Sequence, residues 1–137
     1  GTGDITCSVA EFSGADTSTP LDKTNTATGT SATGSAGATG TLSQADEMIF
    51  AAISHDGSDT TIAEDAADGF TLMQEAEGGT SNMPLATQYK IVAADTDTTP
   101  NWTFGASRNF AGHVGTFKAS GGAANKRRYT LTTLGVG

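Results

Sequence analysis

The sequence has one cysteine, three prolines and two histidines among its 137 residues. The single cysteine, Cys7, excludes an intrachain disulfide, and its alternating apolar neighbours predict a small buried side chain. The histidines, His55 and His113, lie far apart on separate predicted strands, where each is expected to serve as an ordinary strand residue. No P-loop, metalloprotease helix motif or complete nucleophile elbow is present. No apolar run approaches a membrane span. The sequence therefore contains no recognisable catalytic motif, and we expect no membrane partner.

Charge, aromatic rings and branched aliphatic side chains are all absent from Thr24–Thr41. Thr24, Thr26, Thr28 and Thr30 alternate within it, which is the period of one face of a β-strand. Such a segment cannot build a core alone, so it is either a strand with small side chains or a loose linker. The predicted strands on both sides favour an internal or edge strand, broken at its glycines.

Positive charge is scarce, because 15 acidic residues stand against seven lysines and arginines, for a net charge of −8. This balance disfavours nucleic acid as a partner. All acidic residues lie at or before Asp97, whereas five of the seven basic residues follow it. The basic C-terminal segment of an acidic chain favours self-association or docking onto a charged partner, unless folding interleaves the charges.

Short alternating or apolar segments separated by turn residues predict the fold class. Their spacing of about ten residues, without any βαβ alternation, predicts one all-β domain over residues 1–137. We expect a single β-sandwich of about eight antiparallel strands, jelly-roll-like, with an immunoglobulin-like order as the alternative. The segments predicted as strands are DITCSVAEF, the Thr24–Ser43 region, Glu47–His55, FTLMQEAEGG, PLATQYKIVAA, NWTFGAS, NFAGHVGTFKAS and RRYTLTTLG.

Acidic loops are the candidates for metal binding. Asp56 and Asp59 flank one predicted turn, and Asp95 and Asp97 form a D-x-D in another. Calcium takes six to eight hard oxygen ligands, which such loops can supply in part, although none follows the EF-hand order. We expect no cofactor, with calcium at these loops as the alternative to solvated turns.

Three aromatic residues are the candidates for ligand binding. Trp102, Tyr89 and Tyr129 are the only tryptophan and tyrosines of the chain. Flat rings with a polar edge suit the faces of sugars. All three also occupy good strand patterns, for which core packing is the competing interpretation.

Five segments follow one another in a recognisable order: VAEFSGADTSTPLD (Val9–Asp22), the Thr/Gly/Ala/Ser segment, DEMIFAAIS, TQYKIVAADTDTTPNWTF and FAGHVGTFKAS (Phe110–Ser120). This order resembles a β-sandwich module of bacteriophage virion proteins, in decoration or tail components, and of bacterial secreted or surface proteins. The resemblance covers most of residues 7–120 and implies a structural or binding role on a particle or cell surface, without catalytic residues.

Three hypotheses for function follow from the residues and this resemblance. The first is a non-enzymatic module of a phage particle, a capsid-decoration, tail or fibre component that forms homo-oligomers or binds capsid or tail proteins. The second is a carbohydrate-binding module of a secreted or cell-surface bacterial protein, with a surface glycan as partner. The third is an enzyme in which Glu11, Asp46 and Glu47 furnish a carboxylate pair for glycoside hydrolysis. We favour the first, which places the protein in a virion or outside the cell.

Overall fold

Eight β-strands and one short 3₁₀ turn make up the secondary structure of the described residues. This computed structural model describes residues 6–57, 62–64, 66–76, 83–121 and 130–132. The strands are β1 (Glu11–Ser13), β2 (Leu21–Ser35), β3 (Glu47–His55), β4 (Ile62–Glu64), β5 (Thr71–Ala76), β6 (Leu85–Val92), β7 (Asn101–Lys118) and β8 (Thr130–Thr132), and the 3₁₀ turn covers Ala66–Asp68. The predicted all-β class is confirmed.

Six of the strands form one antiparallel sheet in the order β2-β7-β3-β6-β5. The sixth, β4, pairs with the first part of β7, while β3 pairs with its second part. The strands β1 and β8 pair only with each other among the described residues. The structure thus contains a six-stranded sheet and a two-stranded sheet, and the jelly-roll-like sandwich of eight strands stays a prediction.

Strand β3 is the centre of the sheet, with β7 on one side and β6 on the other. It covers Glu47–His55, the range that the apolar residues on both of its faces predict. Ile49, Ala51 and Ile53 point to one side, called here the inner face, and all three are buried. Met48 and Phe50 point to the opposite side, the outer face.

The inner face carries the main core of the protein. Trp102 of β7 is 1% exposed, and the ring of Phe104 lies 4.8 Å from that of His55 and 5.9 Å from that of Phe110. The buried apolar residues of this core are Ala36, Leu42, Ile49, Ala51, Ile53, Ile62, Phe70, Ala86, Val92, Trp102, Phe104 and Val114.

The long strand β7 replaces two shorter strands predicted for the same region. Ser31 of β2 lies opposite Arg108, but Thr33 already lies opposite Thr103, so β7 carries extra residues at this point. Such a bulge bends a strand without ending its pairing. The prediction of two separate strands, NWTFGAS and NFAGHVGTFKAS, is wrong for this reason.

The bend folds the end of β2 over the inner face of the two-stranded ribbon that β2 forms with β7. Gly112 of β7 lies under the backbone of Ser35 and Ala36, where a Cβ atom would stand 2.5 Å from the Ser35 carbonyl oxygen. A Cβ on Gly34 would stand 2.4 Å from atoms of both Ile53 and Phe104. Glycine at these two positions is therefore what lets the folded-over ribbon close on the core.

The segment before β1 differs from the sequence-based expectation. The alternating residues up to Val9 predict a first strand, whereas residues 6–10 are irregular and β1 begins at Glu11. Cys7 is exposed, so the prediction of its burial is wrong. The polar side chain of Ser8 explains part of the difference, because its hydroxyl donates to Gln74 Oε1 at 2.8 Å instead of facing solvent.

Strand β1 covers one end of the outer face. The ring of Phe12 lies 6.1 Å from that of Phe50 and 5.7 Å from that of Tyr89. A small second cluster forms here, in which Met48 and Ala119 are buried. The part of the outer face beyond Phe50 is left to solvent.

Candidate functional site

The outer face is lined largely by hydroxyl-bearing and small apolar side chains, exposed on β2 and covered at Thr87 of β6. Directly opposed residues of antiparallel strands share a face, so the register aligns side chains across four strands. From β2 through β7 and β3 to β6, the aligned sets are Thr24, Gly115, Phe50 and Tyr89; Thr26, His113, Ala52 and Thr87; and Thr28, Ala111, Ser54 and Leu85. The alternation predicted for the threonines is thus real, and all four members of this threonine row (Thr24, Thr26, Thr28 and Thr30) are exposed.

Three shallow grooves follow one another along this face. The largest, about 450 Å³, lies between the segment before β1 and the rings of Phe50 and Phe117. The next, about 260 Å³, shares both rings and continues between the threonine row and Ala52. The last, about 160 Å³, shares Ala52 and His113 with the second. Together they form a continuous track with an apolar floor and a hydroxyl-bearing rim.

The two edges of the six-stranded sheet differ sharply. Edge strand β5 has six residues, a register irregularity between Leu72 and Gln74, and the exposed charge of Glu75. Short length, irregularity and charge are devices that keep edge strands from pairing with other chains. Edge strand β2 has 15 residues, and its pairing with β7 is regular from Thr24 to Ser31. That regular stretch contains no charge and no proline, and no other strand in the described ranges pairs with its outer side.

A buried pair of carboxyl groups lies where β2 begins. Glu47 is 0% exposed, and the Asp22 side chain is 8% exposed. Asp22 accepts hydrogen bonds from the Ser43 N–H at 2.8 Å and the Ser43 hydroxyl at 2.6 Å. Burial opposes these bonds, but they prevail and the pKa of Asp22 is lowered. The two hydrogen bonds from Ser43 to Asp22 tie the start of β2 to the loop that precedes β3.

The pKa of Glu47 is shifted in the direction opposite to that of Asp22. Burial raises the pKa of Glu47, and the neighbouring Asp22 charge adds to the rise, whereas hydrogen bonding to Thr116 opposes it. Neither carboxyl oxygen of Glu47 has a hydrogen-bond partner of good geometry among the described residues. Lys118, which faces Glu47 across the β3–β7 ladder, directs its ammonium group to the Thr19 hydroxyl. The folded protein therefore binds the Glu47 proton more tightly than the unfolded chain does.

The variant Glu47→Gln is expected to gain stability relative to the wild type as pH rises above 4.5, the ordinary glutamate value. With a raised folded pKa, the contribution of Glu47 is complete below 4.5 and is lost as pH rises through the raised value. The limiting slope is about 1.4 kcal/mol per pH unit. Urea unfolding of both proteins from below pH 4.5 to neutrality measures the difference. A difference independent of pH would show that Glu47 titrates alike in the folded and unfolded states.

Two of the aspartates predicted as calcium ligands, Asp56 and Asp97, accept hydrogen bonds that anchor turns. Asp56 accepts from the Asn109 side chain at 2.6 Å and its N–H at 2.8 Å, which lowers the pKa of Asp56. Asp97 accepts from the Gly40 N–H at 2.8 Å. Asp95 is exposed, and Asp59 lies outside the described residues. Across the described ranges, no three histidine, cysteine or acidic side chains are grouped to hold a metal ion.

The aromatic candidates for ligand binding are not gathered on one surface. Trp102 is buried in the inner core, so its ring has no face exposed to a sugar. Tyr89 is half-buried beside Phe12, at the covered end of the outer face. Tyr129 lies outside the described residues. The rings that do line the grooves, Phe50 and Phe117, were missed because their strand pattern is that of core residues.

The carboxylates considered for glycoside hydrolysis differ in environment. Glu11 and Asp46 are exposed, while Glu47 is completely buried and has Asp22 as its acidic neighbour. His55 is buried beside Phe104, and His113 is exposed on the outer face. The Asp22–Glu47 pair was not predicted from the sequence, although a glutamate at the start of an apolar strand indicates a buried carboxyl group.

Comparisons with known proteins assign no family to this chain. Neither protein-family models, nor curated proteins, nor solved structures show a match to this chain. The resemblance to phage and bacterial surface modules therefore rests on the sequence pattern and stays a prediction. No helix among the described residues is long and apolar enough to cross a membrane.

Proposed function

We propose that this chain is a non-enzymatic structural module that acts through protein–protein assembly, as a capsid-decoration, tail or fibre component of a phage particle. The observation that carries the proposal is the regular, uncharged and exposed edge from Thr24 to Ser31. The outward N–H and C=O groups of such an edge form a ready-made template for another chain. A protein that stays monomeric blunts this kind of edge, as β5 is blunted at the opposite side of the sheet.

The finer architecture is part of the same proposal. We infer a two-layer sandwich in which the β1–β8 pair is the smaller layer, supported by the packing of Phe12 on Phe50 and Tyr89. A jelly-roll-like order is preferred over an immunoglobulin-like one on the resemblance alone.

Co-sedimentation with particles tests the function. The chain is expressed with an epitope tag in its source strain, particles are separated on a density gradient, and the fractions are probed for the tag. We expect the chain in the particle band at a constant ratio to the major particle protein. Recovery only in the particle-free fractions would overturn the assignment to a particle.

The carbohydrate-binding alternative is supported by one observation, the track of grooves with its apolar floor and threonine rim. Apolar ring faces beside hydroxyl groups suit the faces of sugars. A glycan array probed with the purified chain separates the two proposals. Hits that disappear in Phe50→Ala, in a variant that still folds, would favour the alternative.

A further inference from the structure

We propose that the edge partner of β2 is the β2 strand of a second copy of this chain, paired antiparallel about a two-fold axis centred on Ala27. This inference rests on the proposed function and names the partner of its assembly edge. It joins two six-stranded sheets into one continuous sheet, because β2 is the end strand of each.

The register follows from the side chains. Paired residues of an antiparallel ladder share a face, so a two-fold axis must bring residues of the same parity together. With the axis at Ala27, Thr24 lies opposite Thr30 of the second copy, and Thr26 lies opposite Thr28. This is the one symmetric register in which every member of the threonine row faces another threonine, a favourable cross-strand pair.

Charge and bulk also fit this register. The charged residues nearest the edge, Asp22 and Lys23, fall opposite the small side chains of Ala32 and Ser31 in the second copy, so no like charges oppose each other. On the inner face, Asn25 meets Gly29 and Ala27 meets its own copy, which lets the two backbones approach. The regular stretch from Thr24 to Ser31 is about 26 Å long at about 3.3 Å per residue.

The threonine rows of the two copies also become one surface. Both outer faces lie on the same side of the joined sheet, because the axis runs along the sheet normal. The groove beside Thr24 and Thr26 then continues toward its counterpart in the second copy. Chemically, the partner is an identical uncharged edge and not a charged protein surface.

Analytical ultracentrifugation of the purified full chain, up to a concentration of about 1 mM, tests the pairing. The wild type is expected to form dimers. The double variant Thr26→Lys, Thr28→Lys places two pairs of lysines opposite each other, and its dimer dissociation constant is expected to rise about tenfold or more. The double variant Thr26→Glu, Thr28→Glu is expected to behave likewise. An equimolar mixture of the two variants should form heterodimers, because opposite charges now face each other.

Thr41→Lys is the matched control, since Thr41 is an exposed threonine in a loop outside β2. It should dimerise like the wild type. Thermal unfolding at low concentration confirms that every variant folds, as expected for exposed positions. A wild type that stays monomeric, lysine and glutamate variants that dimerise like the wild type, or a mixture without heterodimers would each overturn the inference.

The two proposals fail separately. A chain that is monomeric in solution yet sediments with particles retains the proposed function and rejects a second copy as the edge partner. A chain that dimerises through β2 yet never sediments with particles retains the edge partner and rejects the particle.

Discussion

Replacing Gly112 with alanine is expected to destabilise the protein by about 3 kcal/mol or more, the upper part of the range for overpacked sites. The new Cβ would stand 2.5 Å from the carbonyl oxygen of Ser35 and 3.0 Å from Ala36 Cα. These are backbone atoms, which cannot rotate away as a side chain would. The end of β2 would have to lift from Gly112, and the core beneath it would open.

The matched control for this change is Gly115→Ala, on the same strand. The atoms nearest its Cβ would be those of the Phe117 ring, at 3.4 Å and beyond, and of Leu21, at 3.9 Å, which are ordinary contacts. Its effect is expected to stay within about 1 kcal/mol, because the lower backbone entropy of the unfolded alanine chain offsets small adjustments. Urea unfolding of both variants gives the comparison. Equal losses would show that the ribbon does not fold over Gly112.

Truncation of Trp102 to alanine is expected to cost about 3–5 kcal/mol, the usual range for a large buried aromatic side chain. Trp102 is 1% exposed and belongs to the core that joins both parts of β7 to β3. A loss near zero would mean that the ring lies at the surface and would restore it as a ligand platform.

Trp102→Phe separates the packing of the ring from its polar atom. The indole Nε1 is buried without a hydrogen-bond partner among the described residues. Removing a buried unsatisfied donor relieves a penalty of about 1–3 kcal/mol, which offsets part of the lost volume. We therefore expect Trp102→Phe to cost less than half of the loss in Trp102→Ala. An equal loss would imply that Nε1 is hydrogen-bonded in solution.

Local patterns in the sequence predicted those elements whose character is set by their own residues. The strand Glu47–His55 was predictable because apolar side chains on both faces require burial between two neighbours. The threonine row was predictable because side chains alternate between the two faces of any β-strand, whichever strand lies next to it. The all-β class followed from the same short segments and turns.

Features that depend on residues distant in the chain were not predictable. The continuity of β7 depends on β2 pairing with it on both sides of the β7 bulge that lies opposite Ser31 and Thr33, which no local pattern of β7 reveals. The Asp22–Glu47 pair exists only because the start of β2 and the start of β3 both pair with the end of β7, at Phe117 and Lys118. The alternation around Trp102 fits either face of a strand, so the sequence leaves a ligand platform and core packing both open, and the structure places the ring in the inner core.

The pairing of β2 with β7 also sets the order in which the chain can fold. Leu21 pairs with Phe117 and Ser35 pairs with Asn101, so β2 has no partner strand until β7 has left the ribosome. Contacts this distant in sequence slow folding and lengthen the exposure of unpaired strands. During synthesis, β2 is therefore unpaired along both sides. Its threonine-rich composition keeps the unpaired strand hydrated, whereas valine or isoleucine at the same positions would promote aggregation.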